Sequence, residues 1–275
     1  MFRSAIFSGR FYAGFPEELK SQIEACFLHK IGPGELPGSV VRELDSNVGL
    51  ISPHAGYIYS GPVAAKGYYE IAKLGKPRRV ILIGPNHSGY GKRLSVWPSG
   101  EWSTPLGTLK IDEEFTNALV NSMEYLSFDT SAHLYEHSLE VQLPFLQYLF
   151  GDDFKIVTIT MMDQRYEVSK RLAESIRGLM NEAGTLIIAS SDLNHYEDHE
   201  TTLKKDNFLI EHITKLDAKG LYEEATAKRI SACGLGAIST VMMLFGNVSV
   251  EKHATSGETS GDYSHTVGYL SAVLT

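Results

Sequence analysis

Apolar and polar positions are arranged along the chain in two ways, which predict two kinds of element. Short β-branched runs bounded by turn residues are typical of buried strands. They predict strands at residues 48–52, 79–83, 94–97, 108–111, 154–161, 185–189, 248–253 and 266–273. Between them, apolar residues recur at the three- and four-residue spacing of helices. These segments predict helices at residues 62–74, 112–123, 137–150, 166–180, 200–216 and 231–245.

The order of these elements indicates the fold class. A succession of strand and helix is typical of a parallel sheet with helices on both faces. Proline and glycine occur singly at predicted turns, and neither a linker-like stretch nor a repeat is evident. We therefore expect a single α/β domain over residues 1–275, with a central, mostly parallel sheet sandwiched by helices.

Composition narrows the class of protein further. Of the 275 residues, 43% are hydrophobic and 21% are charged, as in folded globular proteins and unlike disordered ones. The net charge of −8 argues against nucleic acid or an anionic membrane as a partner. Two cysteines, Cys26 and Cys233, are too few for a disulfide framework. With no signal peptide and no apolar run of membrane-spanning length, the sequence predicts a cytoplasmic protein without membrane contact.

Histidines follow three of the predicted strands. His54, His87 and His195 each lie in a turn just beyond a β-branched run. In open α/β sheets, ligands bind outside the carboxyl ends of the strands. A single histidine at such a position is more often a surface or capping residue, but three at equivalent ends favour a functional site.

Cys233 lies near the start of the predicted helix 231–245. A thiol at a helix N-terminus has a lowered pKa, and the resulting thiolate is both a metal ligand and a nucleophile. The alternative is a small buried apolar residue, which is the interpretation we favour for Cys26.

A weaker signal comes from the segment Glu136-His137-Ser138-Leu139-Glu140. His137 and Glu140 are three residues apart, so on a helix they share one face and suit contact with a substrate. A solvated helix face explains the pair equally well. Tyr57 flanks the turn that carries His54 and is a further candidate for substrate binding, although aromatic packing is the commoner use.

Six ordered segments together resemble the Memo family across nearly the whole chain. They read ISPHAGYIYSG, ILIGPNHSGYG, EHSLEVQLPFLQ, IIASSDLNHY, ACG and DYSHTVGYLSAVLT. The resemblance implies a fold related to the class III extradiol ring-cleaving dioxygenases, with a cleft at one end of a central sheet. One departure is visible: where the family usually has a His-Ala-Gly-Ser type of sequence before a tyrosine, this chain has Phe7-Ser8-Gly9-Arg10-Phe11-Tyr12. A ligand contact by that histidine would be missing or altered here.

The resemblance also implies roles for individual residues. His54, His87 and Cys233 fall where the family binds a metal, and Asp192 and His195 fall on a second pair of cleft residues. The segment containing His137 and Glu140 matches the family's HSxE motif.

Two imidazoles and a thiolate suit Fe(II), Cu or Zn(II), of which we expect redox-active iron or copper first. Extradiol dioxygenases use a carboxylate ligand where this chain would use Cys233. The resemblance in fold therefore does not by itself imply that this protein cleaves aromatic rings. The leading hypothesis is a metal-dependent redox enzyme acting on a small molecule or a modified side chain, in which His195 moves a proton and Asp192 orients His195 or binds substrate.

Two other classes of function remain open. One is a hydrolase or transferase that uses a zinc-bound water or the Cys233 thiolate as nucleophile. The other is a non-catalytic protein that binds a peptide or small ligand in the same cleft, because animal members of the family look like adaptors for phosphotyrosine peptides. The lack of an arginine cluster argues against that last function. Prokaryotic relatives also look like partners of a radical-SAM protein, which suggests a place in a modification pathway.

Overall fold

The computed structural model describes the whole chain, residues 1–275. Twelve strands form one connected sheet. The strands are β1 (Phe2–Arg3), β2 (Val48–Ser52), β3 (Arg79–Pro85), β4 (Leu94–Val96), β5 (Glu101–Thr104), β6 (Gly107–Ile111), β7 (Ser127–Phe128), β8 (Lys155–Met161), β9 (Thr185–Ser190), β10 (His195–Glu197), β11 (Val248–Thr255) and β12 (Thr266–Leu274). The helices are α1 (Pro16–Leu28), α2 (Tyr57–Leu74), α3 (Glu113–Ser122), α4 (Ser131–Leu134), α5 (Leu143–Phe150), α6 (Tyr166–Leu179), α7 (His199–Thr214), α8 (Ala218–Ala227), α9 (Leu235–Met242) and α10 (Gly257–Ser260), with a 3-10 turn at Glu140–Gln142.

The centre of the sheet is parallel, in the order β6-β8-β3-β9-β2. Beyond β2, the antiparallel strand β12 carries β10 and β11, and beyond β6 lie β5 and β1. Strand β4 pairs with β8 in the antiparallel sense. The expected α/β architecture with a mostly parallel sheet is therefore confirmed.

Side chains of the central strands alternate between two apolar cores. In β3, Val80 and Leu82 belong to one core and Ile81 and Ile83 to the other. Helices α1, α2 and α5 cover the first core, whereas α3 and α6 to α9 cover the second. The cores contain 30 and 31 buried residues, so both faces of the sheet are covered to a similar extent, as parallel sheets require. No helix combines the length and the apolarity needed to cross a membrane.

Two predicted helices that contain a proline begin at a different residue from the one predicted. Helix α2 begins at Tyr57, and Pro62 lies inside it rather than at its start. The predicted helix 137–150 is instead a 3-10 turn followed by α5, which has Pro144 in its first turn. Pro144 is tolerated in the first turn of α5 because the N–H groups of a first turn have no partner within the helix.

The helix predicted at 231–245 is shorter than expected. Helix α9 begins at Leu235, with Gly234 as its N-cap residue. Cys233 therefore precedes the helix instead of lying in its first turn.

Candidate functional site

The carboxyl ends of β2, β3 and β9 meet at one cavity of about 440 Å³. His54 follows β2, His87 follows β3, and Asp192 and His195 follow β9. All four line the cavity, together with His137 from the segment before α5. The sheet topology thus brings the histidines of three strand ends together.

Three imidazoles form a group at this cavity. One ring nitrogen each of His54, His87 and His137 lies within 4.8 Å of the others, close enough to share a metal ion. The rings of His87 and His137 stack with centroids 4.8 Å apart, and the ring of His54 stands edge-on, 5.2 Å from that of His87. His137, expected at the substrate, therefore lies among the candidate metal ligands.

Glu136 fixes the orientation of one of these rings. Its Oε1 accepts a hydrogen bond of 2.9 Å from Nδ1 of His87, and its Oε2 accepts from the backbone N–H of the same residue. Burial opposes the charge of Glu136, but the hydrogen bond from His87 and the neighbouring imidazoles lower its pKa to about 2. With Nδ1 holding the proton, Nε2 of His87 is free to bind a metal.

A second network selects the tautomer of His54. The hydroxyl of Ser190 donates to the carbonyl of Ser138 (2.6 Å) and accepts from Nε2 of Gln142 (2.9 Å). The contact of 3.0 Å between Nδ1 of His54 and this hydroxyl must then be a donation by the imidazole. Burial and the nearby His87 lower the pKa of His54 to about 3, so the ring is neutral with a free lone pair on Nε2.

Cys233 faces that lone pair. Its Sγ lies 3.2 Å from Nε2 of His54 and accepts a hydrogen bond of 3.3 Å from the backbone N–H of Asp192. Burial and the carboxylate of Asp192 raise the pKa of the thiol, contrary to the lowered pKa expected for a helix N-terminus. The reason is that α9 begins at Leu235 and the thiol is shielded from water. Imidazole nitrogens beside a thiol sulfur are a donor set that fits iron, copper or zinc.

Asp192 does not orient His195 by a hydrogen bond. Its Oδ1 accepts instead from the backbone N–H of His54 at 2.8 Å, and burial raises its pKa. The imidazole of His195 lines the cavity, and its Nδ1 has no hydrogen-bond partner in the protein.

The segment 192–195 is held through every backbone N–H that it contains. The four acceptors come from different parts of the fold: Sγ of Cys233, the carbonyl of Gly268, Oδ1 of Asp206 and Oγ of Ser231. Asp206 is buried and also bonds Nε2 of His253 at 2.9 Å. A Cβ at residue 268 would lie 1.8 Å from Oδ2 of Asp206, so only glycine allows this approach. Asp192 and His195 are therefore presented by a rigid segment.

Two residues expected to bind substrate lie behind the cavity wall. The buried carboxylate of Glu140 pairs with Arg3 (2.6 Å) and accepts from the backbone N–H of Phe7 (2.8 Å) and the hydroxyl of Tyr12 (2.6 Å). The hydroxyl of Tyr57, also buried, donates to a backbone carbonyl. Neither residue lines the cavity, so their role in substrate binding stays a prediction that these contacts do not support.

Three aromatic residues and one arginine line the cavity instead of Glu140 and Tyr57. Tyr59 and Tyr196 line the cavity and are exposed, and Arg10 and Phe11 contribute from the N-terminal segment. The ring of Phe11 lies 4.4 Å from that of His137. The departure from the family pattern in residues 7–12 was the one sequence signal that pointed to this segment.

Comparisons with known proteins agree with the fold and the motifs. A family model described as "Memo-like protein" matches residues 3–273. A "MEMO1 family protein" of Thermotoga neapolitana is 53% identical, and one of Thermotoga maritima is 50% identical, each over 100% of both chains. One from Sulfurisphaera tokodaii is 50% identical over 98% of both chains. A crystal structure of an uncharacterized protein from Escherichia coli K12 has a TM-score of 0.55 at 12% identity, covering 83% of this chain and 99% of its own, and so shares the fold.

Proposed function

The chain belongs to the Memo family, and we propose that it is a redox enzyme that uses iron or copper held at the histidine cluster. The observation that carries this proposal is the geometry of the imidazoles. The hydrogen bonds of His54 and His87 place a proton on Nδ1 and leave a lone pair on Nε2, which in His54 faces the thiol of Cys233, and one nitrogen of His137 lies within 4.8 Å of the other two rings' ligand atoms. A metal-binding histidine typically donates its other ring N–H to a carboxylate or another oxygen, as His87 does to Glu136 and His54 to Ser190.

We assign His54, His87 and Cys233 as metal ligands, with His137 as a further donor. The thiol of Cys233 adjoins Nε2 of His54, and binding of a cation would favour its thiolate form. When bound, iron or copper supplies redox chemistry and Lewis acidity to a ligand in the cavity. Zinc fits the same donors but supplies no redox chemistry.

His195 is the proposed proton carrier. It lines the cavity on the rigid segment 192–195, and its Nδ1 is buried without a protein partner. The ring would therefore exchange a proton with a bound substrate through Nε2, the ring nitrogen that is not buried. Asp192 supports the site by holding the backbone of His54. The cavity, at about 440 Å³, has the size of a site for a small molecule or a single side chain.

Oxygen uptake tests the proposal. Protein loaded with Fe(II) or Cu is screened against catechols and thiols in an oxygen electrode. We expect turnover that disappears in His54→Ala and falls by about 100-fold or more in His195→Gln, which lacks the proton carrier. Turnover that continues at the same rate without oxygen would instead favour a hydrolase.

A binding function without catalysis is the second candidate. Tyr59 and Tyr196 expose 41% and 75% of their surface beside the cavity, and exposed tyrosines are common where proteins contact ligands. Saturable binding of a peptide or small molecule, with no turnover by the metal-loaded protein, would support this candidate.

A further inference from the structure

The cavity lining contains one permanently cationic side chain. Arg10 is the only lysine or arginine among the 12 lining residues. It is exposed, forms no ion pair, and has no side-chain hydrogen bond in the protein; its guanidinium lies 5.9 Å from the ring centroid of Phe7. Its five N–H donors are therefore available to a ligand.

The backbone that carries Arg10 is fixed on both sides. The N–H of Gly9, whose φ is +75°, donates to the carbonyl of Tyr12 at 2.8 Å. The carbonyl of Phe11 accepts from the N–H of Tyr57, the first residue of α2, at 2.8 Å. Because this turn is already ordered, binding a ligand through Arg10 costs little backbone entropy.

No acidic group forms an ion pair with this cation. Asp192 is the one acidic residue among the lining residues, and its Oδ1 accepts from the backbone N–H of His54, while the carboxylate of Glu136 is held by His87. Residue 56, the N-cap of α2, is a glycine that lines the cavity, and the first turn of the helix contains no acid. The positive end of the helix dipole therefore adds to the charge of Arg10.

From these observations we propose that the cavity selects substrates that carry a carboxylate, which Arg10 binds. The inference rests on the proposed function, since it names the substrate class of the same cavity. The planar guanidinium matches a carboxylate with two parallel hydrogen bonds. A single arginine suits a monoanion, whereas doubly charged phosphates are usually met by several cationic groups. The rings of Phe11, Tyr59 and Tyr196 supply apolar contact for the rest of the molecule.

A matched pair of probes tests this inference in metal-free protein, where a carboxylate cannot bind to an ion. The probes are 3-phenylpropionate and its uncharged amide, and their dissociation constants are measured by NMR titration. We expect the wild type to bind the carboxylate about fivefold or more tightly than the amide. Arg10→Gln should abolish the preference and Arg10→Lys should restore part of it, since lysine keeps the charge but not the planar fork.

Arg93→Gln is the control. It removes the same charge from an exposed arginine outside the cavity, so the preference should persist. The inference is overturned if neither probe saturates the wild type, if Arg10→Gln keeps the preference, or if Arg93→Gln loses it equally. Metal binding is measured on the same preparations. A wild type that binds iron and copper but shows no carboxylate preference overturns this inference alone, and one that prefers the carboxylate but binds neither metal overturns only the proposed function.

Discussion

Glu136 holds His87 by both its side chain and its backbone: Oε1 accepts from Nδ1 at 2.9 Å, and Oε2 accepts from the amide N–H. The same Oε1 lies 3.4 Å from Nδ1 of His137. One buried carboxylate thus contacts both His87, at the end of β3, and His137, the residue that follows Glu136 in the chain. This arrangement is typical of residues that support metal ligands.

Replacing Glu136 by glutamine tests that role. Glutamine keeps the size of the side chain but loses the charge that holds the Nδ1 proton of His87. We expect affinity for Zn(II), measured by competition with a chelator, to fall by about 10- to 100-fold. Glu174→Gln, which removes a charge from an exposed helix position, should leave the affinity unchanged. Equal affinity in both variants would show that Glu136 is not a supporting residue.

Glu140→Gln should lower the stability of the folded protein, because Glu140 does not contact a ligand in the cavity. Its carboxylate is buried against Arg3, and removing one partner of a buried pair leaves an uncompensated charge. We expect the free energy of unfolding in urea to fall by about 3 kcal/mol. The exposed pair of Glu17 and Lys20 provides the comparison, and Glu17→Gln should cost about 0.5 kcal/mol or less. A stable Glu140→Gln protein with weakened ligand binding would restore the substrate role expected from the sequence.

The sequence was sufficient to predict eight of the twelve strands, including the five parallel strands at the centre of the sheet, and the positions of three histidines. Prolines follow or end β2 and β3, and apolar runs mark both strands, so His54 and His87 could be placed at strand ends. It could not show that Glu136 lies beside His87, because that contact joins separate segments of the chain. For the same reason, the contact between the N-terminal turn and His137 was not predictable. The direction predicted for the pKa of Cys233 was wrong, because burial of the thiol and the nearby carboxylate of Asp192 raise that pKa, and α9 begins only at Leu235.

Asp206 should control the rigidity of the segment 192–195. Asp206→Ala removes the acceptor of the Asn194 N–H and the partner of His253. We expect a loss of about 1–3 kcal/mol in unfolding free energy and faster hydrogen exchange at the Asn194 amide. Asp198→Ala removes only an exposed helix cap and should leave that amide protected. Unchanged exchange in Asp206→Ala would mean that the other three acceptors suffice.

His133 should make the metal-free protein sensitive to acid. Burial and the charge of Arg3 lower its pKa to about 3, below the value of about 6.5 in an unfolded chain. The unfolded state therefore binds the proton first, so this group's contribution to stability is complete above pH 6.5 and falls as the pH drops towards 3. The loss within that window approaches about 1.4 kcal/mol per pH unit. His133→Phe, which keeps a ring against Trp97 and Trp102, should flatten the pH dependence measured by urea unfolding. An identical slope in both proteins would contradict the assignment.

Metal analysis tests whether this cavity holds a metal centre. Wild type, His54→Ala and Cys233→Ala are purified without oxygen, their folding is checked by circular dichroism, and each is loaded with Fe(II) or Cu before excess metal is removed. We expect about one ion per chain in the wild type and loss of that ion in both folded variants. A folded wild type that retains no metal, or folded variants that retain as much as the wild type, would contradict a metal centre at this cavity.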